Sequence, residues 1–226
     1  MKKITVLYGN YGSGKTELSL NMALKAKQSI DKVTLVDLDV VNPYFRSSEH
    51  KSMLEDKGIK VIAPVYANTA VDLPTIPPDV YTAFSSDAAI FDCGGDAAGA
   101  TALGSLKSHF DQSEGNTQIL FVVNTCRPFQ TDISEIEDSL RRIETNARLK
   151  ADGFVLNTNI GKDTTGGELA QGYELLYPLS QKLDIPISIV SGTENSINVF
   201  KNSGIEYNGD FFILTPMMRP DWMENS

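Results

Sequence analysis

Short runs of apolar residues recur along the chain, separated by stretches in which apolar positions fall three and four apart. The runs Ile4–Tyr8, Val33–Asp37, Lys60–Ala63, Ala88–Asp92, Gln118–Asn124, Gly153–Asn157 and Ile187–Val190 read as strands, with Phe211–Leu214 as a last one. Several are continuously apolar rather than alternating, which is the pattern of a strand buried on both faces. Thr16–Gln28 reads as a helix directly after the first strand. In Asp132–Leu149 the residues Ile133, Ile136, Leu140, Ile143 and Leu149 share roughly one helical face. Thr165-Gly166-Gly167-Glu168 has the form of a capping box opening a helix toward Leu183. Strands alternating with helices predict an α/β fold, a mostly parallel central sheet with helices on both faces.

The stretch from Pro64 to Pro78 departs from this pattern. Pro64, Pro74, Pro77 and Pro78 exclude a regular helix or a central strand there, so a long surface excursion is expected. No linker divides the chain, and residues 1–226 are expected to form a single domain.

Composition narrows the function classes. With 20 Lys and Arg against 29 Asp and Glu, the chain carries a formal charge of −9, which argues against general nucleic-acid binding. Hydrophobic residues at 41% are enough for a sizeable core. Two cysteines, Cys93 and Cys126, are too few for a disulfide framework and point to a reducing compartment. No apolar run approaches the length of a membrane span, and the run after Lys2 and Lys3 is too short for a signal peptide. The expectation is a soluble cytoplasmic protein.

The strongest chemical signal follows the first strand. Gly9-Asn10-Tyr11-Gly12-Ser13-Gly14-Lys15-Thr16 fits G-x-x-x-x-G-K-[ST] at every fixed position, with a strand before it and a helix after it. Such a loop turns its N–H groups onto an anion at a helix N-terminus. Gly9, Asn10, Tyr11, Gly12, Ser13, Gly14, Lys15, Thr16 and Glu17 are therefore the candidate nucleotide-binding residues. Lys15 is placed to reach the β- and γ-phosphates, and the Thr16 hydroxyl to ligate Mg²⁺.

A phosphate loop needs acidic partners for its metal, and open parallel sheets bind ligands at the carboxyl ends of strands. Asp37-Leu38-Asp39 closes the second strand, and residues two apart in extended chain share a face. Asp92-Cys93-Gly94-Gly95 closes the fourth. Mg²⁺ commonly takes one or two carboxylates beside waters and phosphate oxygens. Asp92 is the better candidate for holding the metal through water, and Gly95 offers a backbone N–H to the γ-phosphate.

Together, Gly9–Thr16, Asp37-Leu38-Asp39 and Asp92-Cys93-Gly94-Gly95 resemble the MinD/ParA-type (CobQ/CobB/MinD/ParA) nucleotide-binding domain. That P-loop group also includes dethiobiotin synthetase, the nitrogenase iron protein and the signal-recognition GTPases. The resemblance implies ATP with Mg²⁺. It implies that Asp39 positions the attacking water, with Lys15 as the other catalytic group. It makes Asp37 and Asp92 outer ligands of the magnesium carried by Thr16, and Asn157 the residue that reads the adenine base. An amide both donates and accepts, which suits adenine; Asn is equally a common turn residue after a strand.

Many members carry a further lysine early in the loop, in the pattern G-K-G-G-x-G-K-T. Here that position is Asn10, and Tyr11 replaces the next glycine. The departure argues against a dimer sharing nucleotides across its interface, while a homodimer of another form stays open. By analogy with arginine fingers, a missing cation costs on the order of 10³–10⁵ in rate. Slow hydrolysis is expected unless Arg46, Arg127 or a partner supplies charge.

Other segments carry weaker expectations. Asn42-Pro43-Tyr44-Phe45-Arg46 reads as a γ-phosphate-sensing switch or as core aromatics. Asp96 to Gly104 reads as a second switch or a helix packed closely on the sheet. Arg127 fits either an anionic substrate or a surface ion pair. Cys93 and Cys126 read as packing rather than a cluster shared by a dimer, since they lack C-x-x-C spacing. His50 and His109 sit in no ligand pattern, and Arg141, Arg142, Arg148 and Lys150 suggest one basic helix face. The expected function is a slow Mg-ATP-dependent switch acting on a protein partner. The alternatives are an ATP-dependent kinase or carboxylate ligase acting on a small acidic substrate, like dethiobiotin synthetase, and a non-hydrolysing nucleotide sensor. The segment Asn157-Thr158-Asn159-Ile160 lacks the Lys and Asp of a guanine-reading N-K-x-D motif, which favours adenine.

Overall fold

The structure, a computed structural model, describes residues 2–39, 48–63 and 76–217, without the side chains of residues 48–50 and 162. Its strands are β1 (Ile4–Tyr8), β2 (Val33–Leu38), β3 (Ile59–Ile62), β4 (Ala88–Cys93), β5 (Thr117–Val123), β6 (Gly153–Leu156), β7 (Ile187–Gly192) and β8 (Asp210–Ile213). They form one sheet in the order β3-β2-β4-β1-β5-β6-β7-β8, and every neighbouring pair is parallel. The helices are α1 (Lys15–Lys27), α2 (Ser48–Asp56), α3 (Ala97–Ser105), α4 (Lys107–Gln112), α5 (Ile133–Ala147), α6 (Gly167–Leu183) and α7 (Glu194–Lys201).

Side chains alternate across each strand, so one apolar run feeds two cores. In β1, Ile4, Val6 and Tyr8 join one core, where they meet Leu103 of α3, Ile136 and Leu140 of α5, Leu176 of α6 and Phe200 of α7. Leu7 joins the other core with Leu18, Leu20 and Met22 of α1. Strand β5 divides the same way, with Phe121 and Val123 on the first side and Leu120 and Val122 on the second. Helices therefore cover both faces, which is why the strands read as continuously apolar.

Strand order places the site. The helix after β1 leads to β2 on one side, whereas α3 and α4 carry the chain from β4 to β5 on the other. The carboxyl ends of β1, β4 and β5 thus face a crevice at the point where the chain changes direction across the sheet.

Several local expectations need correction. The box at Thr165–Glu168 forms with Gly166 as the cap, in the left-handed region at φ 98°. Glu168 still reaches back, accepting from the Thr165 and Gly166 N–H groups. Helices α2, α4 and α7 lacked enough periodic signal to be read, Asp96 caps α3 over the segment read as a switch or a helix, and Pro78–Ser85 forms a 3₁₀ helix at the end of the expected excursion. The four basic residues do not make one face. Arg141 pairs with Glu137 and Glu144, Lys150 with Glu144, Arg148 donates to the Gly104 carbonyl, and Arg142 donates to Asn10. The segments 42–46 and 64–75 lie outside the described residues. No helix among the described residues is long and apolar enough to cross a membrane.

Candidate functional site

The chain leaves β1 at Tyr8, loops through residues 9–14 and enters α1 at Lys15. Gly14 caps the helix in the left-handed region at φ 86°, a conformation that costs any side-chain-bearing residue. No side chain caps α1, so its first N–H groups are left for the crevice. Lys15 is buried, and its Nζ donates to the Asn10 carbonyl at 3.0 Å, folding the loop around its own ammonium. Burial pushes the Lys15 pKa down, against the attraction of Asp92, Cys93, Asp39 and Asp96. The Ser13 Oγ is buried without a hydrogen bond.

The carboxylates arrive from neighbouring strands. Asp37 of β2 and Asp92 of β4 are register partners, and Asp92 is opposite Leu7 of β1. Leu7 belongs to the core under α1, so both carboxylates share that face with the first turn of α1. Cys93, one residue on, turns into the opposite core. Asp37 Oδ1 accepts from the Asp39 N–H at 2.8 Å, which ties the two acids together at the end of β2. Asp39 packs on Gly94 at the end of β4.

Asp92 is 1% exposed, and neither carboxylate oxygen has a hydrogen-bond partner. Burial raises its pKa above the ordinary carboxylate range, against the opposing pull of Lys15. The Thr16 and Ser19 hydroxyls stand close enough to favour the ionised form without completing a bond. The Ser19 hydroxyl is committed to the Thr16 carbonyl at 2.9 Å. Buried oxygens left open in this way suit a cation, and the all-oxygen set of Thr16, Asp37 and Asp92 suits a hard one such as Mg²⁺. Among the described residues no group of three His, Cys, Asp or Glu could hold a metal alone, so such an ion would complete its shell from phosphate and water.

Gly95 follows Asp92 and touches the phosphate loop. A Cβ there would lie 2.6 Å from the Tyr11 nitrogen and 2.8 Å from the Asn10 carbon and the Gly9 oxygen. The end of β4 and the loop are thus in backbone contact.

Asn157 is held behind the loop. Its Nδ2 donates to the Ser13 carbonyl at 2.8 Å, and its Oδ1 accepts from the Ser191 hydroxyl at 2.9 Å. At 2% exposure its amide braces the loop against β6 and β7. Glu17, in the first turn of α1, accepts from the Met217 N–H at 2.7 Å.

The sequence reading missed the turn between β5 and α5. Gln130 accepts from the Asn124 N–H at 3.0 Å and donates to the Tyr11 carbonyl at 3.5 Å. Asn10 donates to the Phe129 carbonyl at 3.3 Å and accepts from Arg142 at 3.5 Å. Only the strand-end location of Asn124-Thr125-Cys126-Arg127 hinted at this role. Tyr11 and Phe129 are 75% and 70% exposed beside the loop. Cys126 is exposed and Cys93 buried. His109 packs on the Tyr81 and Phe84 rings at 4.8 and 5.1 Å.

Known proteins share the fold and the family pattern of this chain. Residues 4–191 match the family model described as the CobQ/CobB/MinD/ParA nucleotide binding domain. Among solved structures, FtsY from Mycoplasma mycoides aligns with TM-score 0.51 and 19% identity, over 86% of this chain and 61% of that one. Chloroplast FtsY from Physcomitrella patens aligns with TM-score 0.58 and 17% identity, over 87% and 60%. FlhF complexed with GTP/Mg(2+) aligns with TM-score 0.56 and 17% identity, over 86% and 67%. The chain thus spans about 60% of the two FtsY chains, and at these identities the likeness is one of fold. A search of curated proteins finds no match.

Proposed function

Because the chain belongs to the CobQ/CobB/MinD/ParA nucleotide-binding family, we propose that it binds Mg-ATP and hydrolyses it slowly, as a switch read by a protein partner. The observation that carries this reading is the loop folded around buried Lys15, facing an Asp92 carboxylate whose oxygens are open. The N–H groups of residues 9–14 and of the uncapped α1 terminus grip the phosphates, and Lys15 neutralises β- and γ-oxygens. Thr16, Asp37 and Asp92 would hold Mg²⁺, which when bound neutralises charge on the phosphate oxygens. Asp39, beside Gly94, orients the water that attacks the γ-phosphorus. The bond to the bridging oxygen breaks, ADP departs, and the water's proton passes to phosphate.

The reading of adenine rests on Asn157-Thr158-Asn159-Ile160, which lacks a Lys and an Asp for guanine. FlhF was crystallised with GTP, so GTP is the necessary competitor. Exposed Tyr11 in the loop and Phe129 beside it support a protein partner, since apolar groups cluster at interaction surfaces.

Calorimetry with Mg-ATP and Mg-GTP on the parent and on Lys15→Ala tests the proposal. The expected result is tighter binding of ATP than GTP, lost in Lys15→Ala. Equal binding by Lys15→Ala and parent refutes the site. Tighter GTP refutes the base assignment. Turnover stimulated by one small acid, and by no protein, refutes the switch in favour of a small-molecule enzyme.

A further inference from the structure

The loop's own side chains provide a single cation, Lys15, and it lies buried beneath the loop with its Nζ on the Asn10 carbonyl. A nucleoside triphosphate carries about one more negative charge than the diphosphate at neutral pH, and its terminal phosphate fills a position that the diphosphate leaves empty. A second positive group above the loop would add a contact that only the triphosphate makes.

Arg127 stands there. Its stem lies across Gly12, where a Cβ would meet its Cγ and Cδ at 3.6 Å and its Nε at 4.0 Å. The backbone is fixed on both sides: Arg127 N–H donates to the Asn124 carbonyl at 3.0 Å, and its carbonyl accepts from the Gln130 N–H at 3.2 Å. Gln130 is 1% exposed and bonded to both Asn124 and Tyr11, while Asn10 reaches the Phe129 carbonyl. Phe129 takes φ 61°, a conformation tolerated where the surroundings impose it. The turn and the phosphate loop therefore form one connected piece. Among the described residues, Arg142 also reaches the loop, where it is spent on Asn10 Oδ1. Arg127 makes no ion pair among the described residues, so its guanidinium is available.

The geometry points to Arg127 as the γ-phosphate contact of this site, a second cation supplied by the chain itself that separates triphosphate from diphosphate. This deepens the nucleotide-binding reading and rests on it. A guanidinium on phosphate forms charge-assisted, bidentate hydrogen bonds, which a point charge on lysine reproduces only in part.

The test measures dissociation constants for Mg-bound ATPγS and ADP, and for GTPγS and GDP, by calorimetry. It uses the parent, Arg127→Ala, Arg127→Lys and Lys15→Ala, with thermal melts to verify folding. Exposed Arg127 is expected to tolerate replacement. Arg127→Ala should weaken the triphosphate about ten- to a hundredfold and leave the diphosphate within about twofold, with Arg127→Lys between. Equal weakening of tri- and diphosphate, or no change in either, overturns the assignment to Arg127 alone, because the parent still binds and Lys15→Ala does not. A parent that binds none of the four nucleotides overturns the nucleotide site and Arg127 with it.

Discussion

Replacing Gly95 by alanine would press a methyl group into the phosphate loop from the end of β4. The added carbon would sit 2.6 Å from the Tyr11 nitrogen and 2.8 Å from two further backbone atoms. Ordinary contact begins near 3.5 Å, so the two segments must part by roughly 0.9 Å at the closest pair. Backbone cannot swing aside as a side-chain tip can. Overpacking of this kind costs about 1–3 kcal/mol. For a chain of this size each kcal/mol lowers Tm by about 2–4 °C, so a fall of roughly 2–12 °C is expected. The effect on nucleotide should be larger in proportion, since displacing even one N–H from a phosphate oxygen forfeits a charge-assisted bond worth about tenfold or more in affinity. Gly167→Ala is the control. There the nearest atom to a new Cβ is the Thr165 hydroxyl at 3.5 Å, the φ is not left-handed, and the helix start tolerates alanine. Differential scanning fluorimetry and calorimetry on both variants decide the matter. If Gly95→Ala melts and binds like the parent, or if Gly167→Ala is equally damaged, the inferred backbone contact is wrong.

Asn157→Ala leaves the Ser13 carbonyl and the Ser191 hydroxyl without their amide partner, at a cost of about 1–3 kcal/mol, so both Tm and nucleotide affinity should fall. An unchanged Tm with weakened binding would mean that the residue serves the base and does not brace the loop. The two thiols should differ sharply toward Ellman's reagent, with one equivalent reacting in the native protein and two after denaturation. Burial and Glu168 raise the Cys126 pKa, so at pH 8 it holds less thiolate than a free cysteine, and its rate should keep climbing above the usual thiol range. Burial raises Cys93 further, and it should stay silent until unfolding. Two fast equivalents at pH 8 would contradict the buried placement of Cys93.

How much of the site was legible depended on whether the signal was local. The loop Gly9–Thr16 was plain because its requirements, small residues, a lysine and a flanking strand and helix, are met within eight consecutive positions. Asp37 and Asp92 were found because parallel strands end at the crevice, and the register confirms that they stand side by side. Asn157 was noticed for its strand-end position, yet its bonds to Ser13 and Ser191 span 144 and 34 residues of chain, which no spacing rule encodes. The turn at 124–130 was missed for the same reason, as its ties to Asn10 and Tyr11 cross 119 residues.

The sequence by itself determined the strands, the alternation with helices and the anion-binding loop, since each is set by side-chain periodicity and backbone sterics within a few residues. Tertiary structure alone decided which carboxylate is buried with open oxygens, where Gly95 meets the loop, and that Arg127 lies over Gly12 while Arg142 is tied to Asn10. Those outcomes depend on strand order and on packing between segments far apart in the chain, where burial and distance set charge and reach.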